Sequence, residues 1–389
     1  MERFSDMVCD FWQVYGIAGA VVASLVSVTF IIELYYYLGI YAPVAGFRLS
    51  KRTSKRLAKE PPVSVIVPMF GENYDYLDNG LTALLTQDCT DYEVVVVYVG
   101  NDDSFYSNLS GMSKHYPHLK PVQIAFSQRY PVSSKMALNV GIKTASNEHI
   151  VTTTTDAVPA SRHWLARMAK GFTYREIVIG YCGMERKKGF TNRMFREWQL
   201  VSSVAWLAAA IGHRPYGASR HNMGFTKTVY FGARGFNHLN MNAGEDDLFI
   251  QQVGTADNVA VVLSPNSSCF ERQWGGWSWW INRMRYFGIT RRYYPMRAKA
   301  LPLIELWARV LFWASVAAAF VLFPIELQIA AGAMLTLRFL AVELAVLRIS
   351  RRLGERDMAG LHFVFDIIEP IIRLITGVLL LKRTKSAWR

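Results

Sequence analysis

The chain has 389 residues, 51% of them hydrophobic, and a formal net charge of +13. That length holds one large domain or two small ones. So basic a soluble protein would point to nucleic acid, but the apolar residues gather in long segments that bracket the middle of the chain, which argues for a membrane and against a nucleic-acid partner.

The first such segment, Phe11 to Ile32, carries no charge and is long enough for a bilayer core, which takes roughly 20 residues. Asp6 and Asp10 precede it, not a basic run, and no small-residue cleavage site stands out. An uncleaved membrane helix is therefore expected within residues 1–45, not a signal peptide. The basic linker of residues 46–60 includes FRLSKRTSKRLAKE, and a Lys/Arg run just past a spanning helix marks the cytoplasmic side. The run suits contact with membrane lipids of anionic headgroup, with a plain soluble linker as the other reading. Cys9, Cys89, Cys182 and Cys269 have no metal-ligand spacing and read as free thiols of a reducing compartment.

Residues 61–300 change character. VSVIVPMF (63–70) and YEVVVVYVG (92–100) are continuous β-branched runs, as in strands covered on both faces. Tyr74 to Gln87 and SKMALNVGIKTA (134–145) have helical spacing; PVQIAF (121–126) and EHIVTTTTD (148–156) read as further strands. Alternating strands and helices predict a Rossmann-like, mostly parallel α/β sheet with helices on both sides. Ligands of such sheets bind at the carboxyl ends of the strands, here Gly100 to Asp103 and Thr154 to Pro159.

Residues 301–389 turn apolar again. Val310 to Ile325 and Leu327 to Leu347 predict a membrane hairpin, the second arm interrupted by Arg338 and Glu343. Leu361 to Leu381, broken by Asp366, Glu369, Pro370 and Arg373, reads either as a span or as a helix lying in the interface. RISRRLGER between them belongs on the cytoplasmic side, and so does the terminal KRTKSAWR.

Four groups of residues carry possible chemistry. Asp156 ends TTTTD and suits a divalent metal beside phosphates, or else caps a helix starting near Ala160. GEDDLFI places Glu245, Asp246 and Asp247 side by side; mutual repulsion raises a carboxylate pKa, which suits a general base, while a solvated helix N-terminus explains the acids equally well. NRMRY puts Arg283 and Arg285 two apart, a spacing that reaches one phosphate from a strand or turn but not from one helix face. The preceding WSWW reads as interfacial anchors or as sugar-stacking rings at Trp279 and Trp280. RHNMGFTK (220–227) and ARGFNHL (233–239), with His221 and His238, read as turn and packing residues.

In this order and spacing, VSVIVPMFGEN, SSKMALNVGIKTA, TTTTDAVPASRHWL, GARGFNHLNMNAGEDDLF and NRMRY resemble the membrane-bound family 2 glycosyltransferases, inverting enzymes with a GT-A domain flanked by transmembrane helices. The resemblance runs from about Val63 to Tyr294 and implies a hexosyltransferase that moves a sugar from a nucleotide-sugar donor to a lipid-linked or glycan acceptor. It implies Asp246 as the base, Asp247 as its support or a hold on the acceptor, and Glu245 as the Glu of the Glu-Asp pair. It implies Asp103, Lys135, Asp156, Asn282, Arg283, Arg285 and Tyr286 on the nucleotide sugar, with Mg or Mn at Asp156. Trp279 and Trp280 would face the acceptor. The family's usual setting implies a bacterial plasma (inner) membrane, a cytoplasmic catalytic domain, and cell-envelope polysaccharide or glycolipid synthesis. The sequence departs from the family pattern at Thr154, where an Asp is expected, and at Tyr98 or Val99, where the nucleotide-binding acid is expected; Asp102 and Asp103 follow nearby. NRMRY has Asn and Tyr where the family has Gln and Trp. These departures keep open a catalytically inactive partner subunit, and a processive polysaccharide synthase is the third reading.

Overall fold

The computed structural model describes residues 2–49, 54–127, 129, 132–236, 243–358, 360 and 362–381. Lys51 and Arg52 of the linker, His238 and the terminal KRTKSAWR lie outside the described residues.

Ten strands form two sheets. They are β1 (Val63–Phe70), β2 (Tyr92–Val99), β3 (Leu119–Ile124), β4 (His149–Thr152), β5 (Ala157–Pro159), β6 (Ile177–Gly180), β7 (Cys182–Met184), β8 (Met223–Thr226), β9 (Val259–Val262) and β10 (Cys269–Glu271). The large sheet runs β3-β2-β1-β4-β8-β6-β9. Every pairing in it is parallel except those of β8, which runs against β4 and β6. The expected mostly parallel sheet is thus present, and β1 and β2 are buried along almost their whole length, which explains their unbroken β-branched composition. β8 threads a crowded place: a Cβ at Gly224 would sit 2.7 Å from the Ile150 carbonyl oxygen and 2.8 Å from the Phe172 ring. Only glycine fits there.

Helices α2 (Asp103–Met112), α3 (Ser134–Thr144), α4 (Trp164–Phe172) and α5 (Phe190–Ile211) cover the large sheet. The expected strand 148–156 stops at Thr152, and the chain turns over Thr153–Asp156 into β5 of a second sheet, ordered β5-β10-β7. Asp156 therefore opens a strand and caps no helix, since α4 starts only at Trp164.

The membrane part consists of α1 (Glu2–Leu34), α8 (Met296–Leu322) and α9 (Ile325–Leu353). Three segments, Gly16–Gly46, Met296–Leu322 and Ile325–Leu353, are long and apolar enough to cross a membrane. The charges that interrupt them are paired. Arg338 on α9 donates to Glu33 on α1 at 2.7 Å and to Asp366 at 2.6 Å. The last apolar segment, from residue 362, forms one helix, α10 (His362–Leu381), that runs through Pro370 and turns Asp366 and Glu369 inward while Phe363, Ile371, Leu374 and Ile375 stay exposed. The RISRRLGER segment closes α9 with Gly354 in the left-handed conformation, and its Glu355 and Asp357 accept from Arg196 of α5. Arg352 donates to the Phe47 carbonyl just past α1. These contacts fasten the end of α9 both to α5 and to the chain just past α1.

Candidate active site

GEDDLFI starts helix α6 (Asp247–Val253), with Asp246 as its N-cap. The tight approach uses Gly244 at φ 91°, where a side chain would be strained and would strike Leu248. Asp246 accepts from the Asp247 amide at 2.8 Å and from the Arg220 amide at 3.1 Å. It is buried, and burial with the neighbouring Asp247 carboxylate pushes its pKa up to about 6. Asp247 differs: Thr290 Oγ1 and Tyr294 Oη both donate to it at 2.5 Å. Burial raises its pKa, and these two bonds oppose the rise. Glu245 is buried behind them, raised by burial, and accepts from the Arg220 guanidinium at 3.3 Å. Lys135, expected on the donor, has no exposed surface; burial lowers its pKa and Glu245, Asp247 and Asp246 counter that effect. It is a buried countercharge for the acids, because the first turn of α3 points it into the domain.

A second chain of contacts replaces the expected carboxylate at Thr154. Thr154 Oγ1 lies 2.7 Å from His221 Nδ1, and His221 Nε2 lies 3.3 Å from Glu271. Glu271 in turn accepts both terminal nitrogens of Arg283. Burial would raise Glu271, but Arg283 and His221 overcome it and hold the carboxyl well below its ordinary range. His221 thus bridges Thr154 and Glu271 through its two ring nitrogens. Neither histidine spacing nor the isolated Glu271 in the sequence pointed to this relay. The one available signal for Glu271 was a lone acid closing a short apolar strand.

NRMRY lies within helix α7 (Trp277–Arg291), so its two arginines diverge. Arg283 faces Glu271, packed between the Trp279 ring at 5.7 Å and the Phe287 ring at 5.1 Å. Arg285 turns away and donates to Asn282 at 3.3 Å. A shared grip on one anion is not what this helix provides. Tyr286 accepts from Arg220 at 3.1 Å and so joins the acid cluster. Trp280 is 2% exposed and stacks on Phe195 at 5.2 Å, which leaves it no free face for a sugar. Trp279 keeps a partly open face; Trp274 and Trp277 are exposed.

At the carboxyl end of β2, Asp102 is consumed as the cap of α2, accepting from Ser104 and Phe105 amides, while Asp103 is exposed. Tyr98, at the position of the expected acid, donates to Glu72 at 2.7 Å. Asp156 accepts from Trp274 Nε1 at 3.2 Å. Its backbone oxygen accepts from Arg272, which ties it to the residue after Glu271. No group of three metal-ligating side chains occurs among the described residues. A lone carboxylate still fits Mg or Mn, which ordinarily use one or two carboxylates and take substrate phosphate oxygens for the rest. A cavity of about 240 Å³ is lined by Asp246, Asp247, Arg220 and Arg283 and extends between α5, α7, α8 and α10.

Residues 64–235 match the family model described as glycosyl transferase family 2. The chain carries a family 2 glycosyltransferase domain. The match ends before the acid cluster and α7, so the roles of Asp246 and Arg283 rest on their geometry. Among solved structures, the glycosyltransferase domain and its flanking helices are similar to PcManGT, a mannosyltransferase from Pyrobaculum calidifontis in complex with GDP-Man and Mn2+. The identity is 20% and the TM-score 0.54, over 86% of this chain and 98% of that one. That likeness is one of fold, the GT-A fold. S. aureus TarS 1-349 in complex with UDP-GlcNAc is also similar, at 16% identity and TM-score 0.39 over 80% of this chain and 92% of that one. No curated protein matches the sequence. This glycosyltransferase thus combines a GT-A domain with three helices long and apolar enough to cross a membrane.

Proposed function

We propose that this glycosyltransferase moves a hexosyl group from a nucleotide-sugar donor to a hydroxyl of a lipid-linked or glycan acceptor, with inversion, and that Asp246 is the general base. The observation that carries this reading is the environment of Asp246: a buried carboxylate at the cavity wall, raised to about 6, held by backbone amides and facing a like charge. A base with a pKa near the working pH both stays ionised and accepts protons effectively. The acceptor oxygen attacks the anomeric carbon as its proton passes to Asp246. The bond from that carbon to the diphosphate breaks, and its electron pair leaves with the nucleoside diphosphate.

The other residues serve that step. Asp247, fixed by Thr290 and Tyr294, keeps Asp246 raised and oriented. The buried Lys135 and Arg220 limit the cost of three adjacent carboxylates. Asp103 and Asp156 stand at the donor side, and a divalent metal held by Asp156 and the diphosphate would neutralise developing charge. Arg283 is already neutralised by Glu271, so its part is to position α7 beside the cavity. Arg351 and Arg352 at the domain-side end of α9 favour a cytoplasmic domain. Cell-envelope glycan or glycolipid synthesis at a bacterial inner membrane is the corresponding setting.

The test is nucleotide release and transfer by the purified chain in nanodiscs, with UDP-, GDP- and dTDP-sugars, with Mn, Mg or chelator, and bacterial lipid extract as acceptor. Release from one donor, abolished in Asp246→Asn, supports the reading. Release that persists within tenfold in that variant removes Asp246 from the base's role.

A further inference from the structure

The segment ERKKGFTNR (185–193), which leads from β7 into α5, serves none of the roles described above. Its cations and its one aromatic ring stay at the surface: Arg186, Lys187, Lys188, Phe190 and Arg193 are all exposed. A cleft of about 590 Å³ is lined by Arg186, Lys187, Lys188, Arg193 and Arg196, with Phe190 and a single acid, Asp357. Three of these cations are matched. Arg196 pairs with Glu355 and Asp357, Arg186 lies 3.3 Å from Asp357, and Lys187 lies 2.6 Å from Glu185. Lys188 and Arg193 have no ion-pair partner among the described residues, and Arg193 stands one helical turn past Phe190 on the same face of α5. Two free cations therefore flank an open phenyl ring.

The matched residues locate this surface. Glu355 and Asp357 follow the last turn of α9, so Arg196 and Arg186 hold the segment against the end of a membrane helix. On its other side Lys187 donates to the Gln273 carbonyl at 2.7 Å, Asn192 donates to the Gln273 side chain at 2.7 Å, and Phe195 meets Trp277 edge-on at 5.4 Å. Trp274 and Trp277 are themselves exposed. Behind them Phe195, Trp280 and Met284 pack with Phe365 of α10, while Phe363, Ile367 and Ile371 of that helix are open. A basic and aromatic surface thus adjoins an open apolar helix face. Solvation alone accounts for the cations, but not for the three large exposed rings of Phe190, Trp274 and Trp277 beside them. Rings interleaved with lysine and arginine suit the membrane–water boundary, where the rings sit at headgroup depth and the cations meet anionic lipid.

We propose that the surface formed by Lys188, Phe190, Arg193, Trp274 and Trp277 docks the glycosyltransferase domain on anionic phospholipid headgroups of the leaflet beside α10. Lys188 and Arg193 meet the lipid phosphates, and Phe190 and the two indoles lie among the headgroups. This contact is distinct from the basic linker of residues 46–60 and stands apart from the transfer reaction. Gln273 directly precedes Trp274, whose indole donates to Asp156, so docking holds the donor-side edge of the domain at a fixed height above the lipid.

The experiment places a nitroxide at Thr191→Cys in the full chain, with Cys9→Ser and Cys89→Ser, in nanodiscs of phosphatidylcholine alone or mixed with phosphatidylglycerol. Collision of the label with a neutral, water-soluble nickel chelate is read by EPR power saturation. Accessibility is expected to fall about threefold or more from the neutral to the anionic disc, because each cation near an anionic surface adds to the attraction. It should recover in Lys188→Glu with Arg193→Glu, whereas Lys188→Arg with Arg193→Lys should keep the protection, since charge is what the lipid reads. Equal accessibility in the two discs overturns the docking. Protection that persists in lipid-free detergent assigns the surface to a second copy of this chain and overturns it as well. The label reports position without any donor sugar, so silence of the donor panel would count against the glycosyltransferase reading alone.

Discussion

Two of the buried clusters of acids and arginines are built differently. In the membrane part, Arg309 pairs with Glu305 and Glu369, and Arg338 with Glu33 and Asp366. Each acid there faces a guanidinium, as a low-dielectric setting demands of charges that cannot reach water. In the domain, Glu245, Asp246 and Asp247 stand in sequence, and Asp246 accepts from backbone amides beside a like-charged neighbour, with Arg220 and Lys135 acting on it from farther off. The first arrangement fixes four helices to one another. Among the described residues the second leaves one carboxylate at a cavity without a direct ion pair, which is the condition for proton transfer and a poor one for stability.

The sharpest way to break the comparison is to neutralise Asp246. Asp246→Asn is expected to lower turnover at least about a thousandfold, in the range general-base loss produces, measured as product formed under saturating donor. The same variant should melt no lower than the native protein at pH 8. Its folded pKa is raised, so the stability this proton brings is present below pH 4 and is lost as pH rises through about 6. At pH 8 the amide removes that penalty, and the one hydrogen bond it forfeits is worth only about 1 kcal/mol. Marked destabilisation would make Asp246 a structural acid like those of the membrane part.

Arg338→Ala should do the reverse: strand Glu33 and Asp366, cost about 3–5 kcal/mol in thermal or denaturant unfolding, and leave nucleotide affinity intact in whatever remains folded. Glu271→Gln sits between the two clusters in kind. It frees Arg283 and unlinks His221 from Thr154, and a roughly ten- to thirtyfold fall in kcat/KM is expected from losing a charge-assisted pair, about 1.5–2 kcal/mol. Equal activity would confine Glu271 to packing. Turnover of the native enzyme should climb with pH and level off above about 6, following ionisation of Asp246; a flat profile from pH 5 to 7 would place the base elsewhere. The smallest effect is expected for Thr154→Asp. The new carboxylate would meet His221, backed by Glu271, and be held by that ring in place of a metal, so metal dependence should change less than about threefold.

Much of the domain was legible in the sequence because its signals are local. VSVIVPMF and YEVVVVYV could only be strands covered on both faces, and the helical spacing of SKMALNVGIKT needs no distant partner. Where local pattern and tertiary contact compete, the reading went astray. The threonines of TTTTD have strand propensity throughout, yet the ladder ends at Thr152 because Thr153–Asp156 must cross to the second sheet. Trp280 was as good a sugar platform as Trp279 by composition; Phe195, Trp198 and Trp277 decided otherwise by enclosing it. Lys135 matched a donor-binding pattern, but its surroundings turned it toward the acids.

What the sequence determined by itself was the class of fold, the apolar spans and the three adjacent acids, since each rests on periodicity or on neighbours along the chain. Only the tertiary structure decided which acid is held by backbone amides alone and which by side chains, because that depends on Thr290 and Tyr294 bonding Asp247 and on Arg220 reaching Glu245 from elsewhere in the chain. The same holds for Arg283 and Glu271. Electrostatic environment is a sum over what folding brings within a few ångströms, and no spacing rule along a chain encodes it.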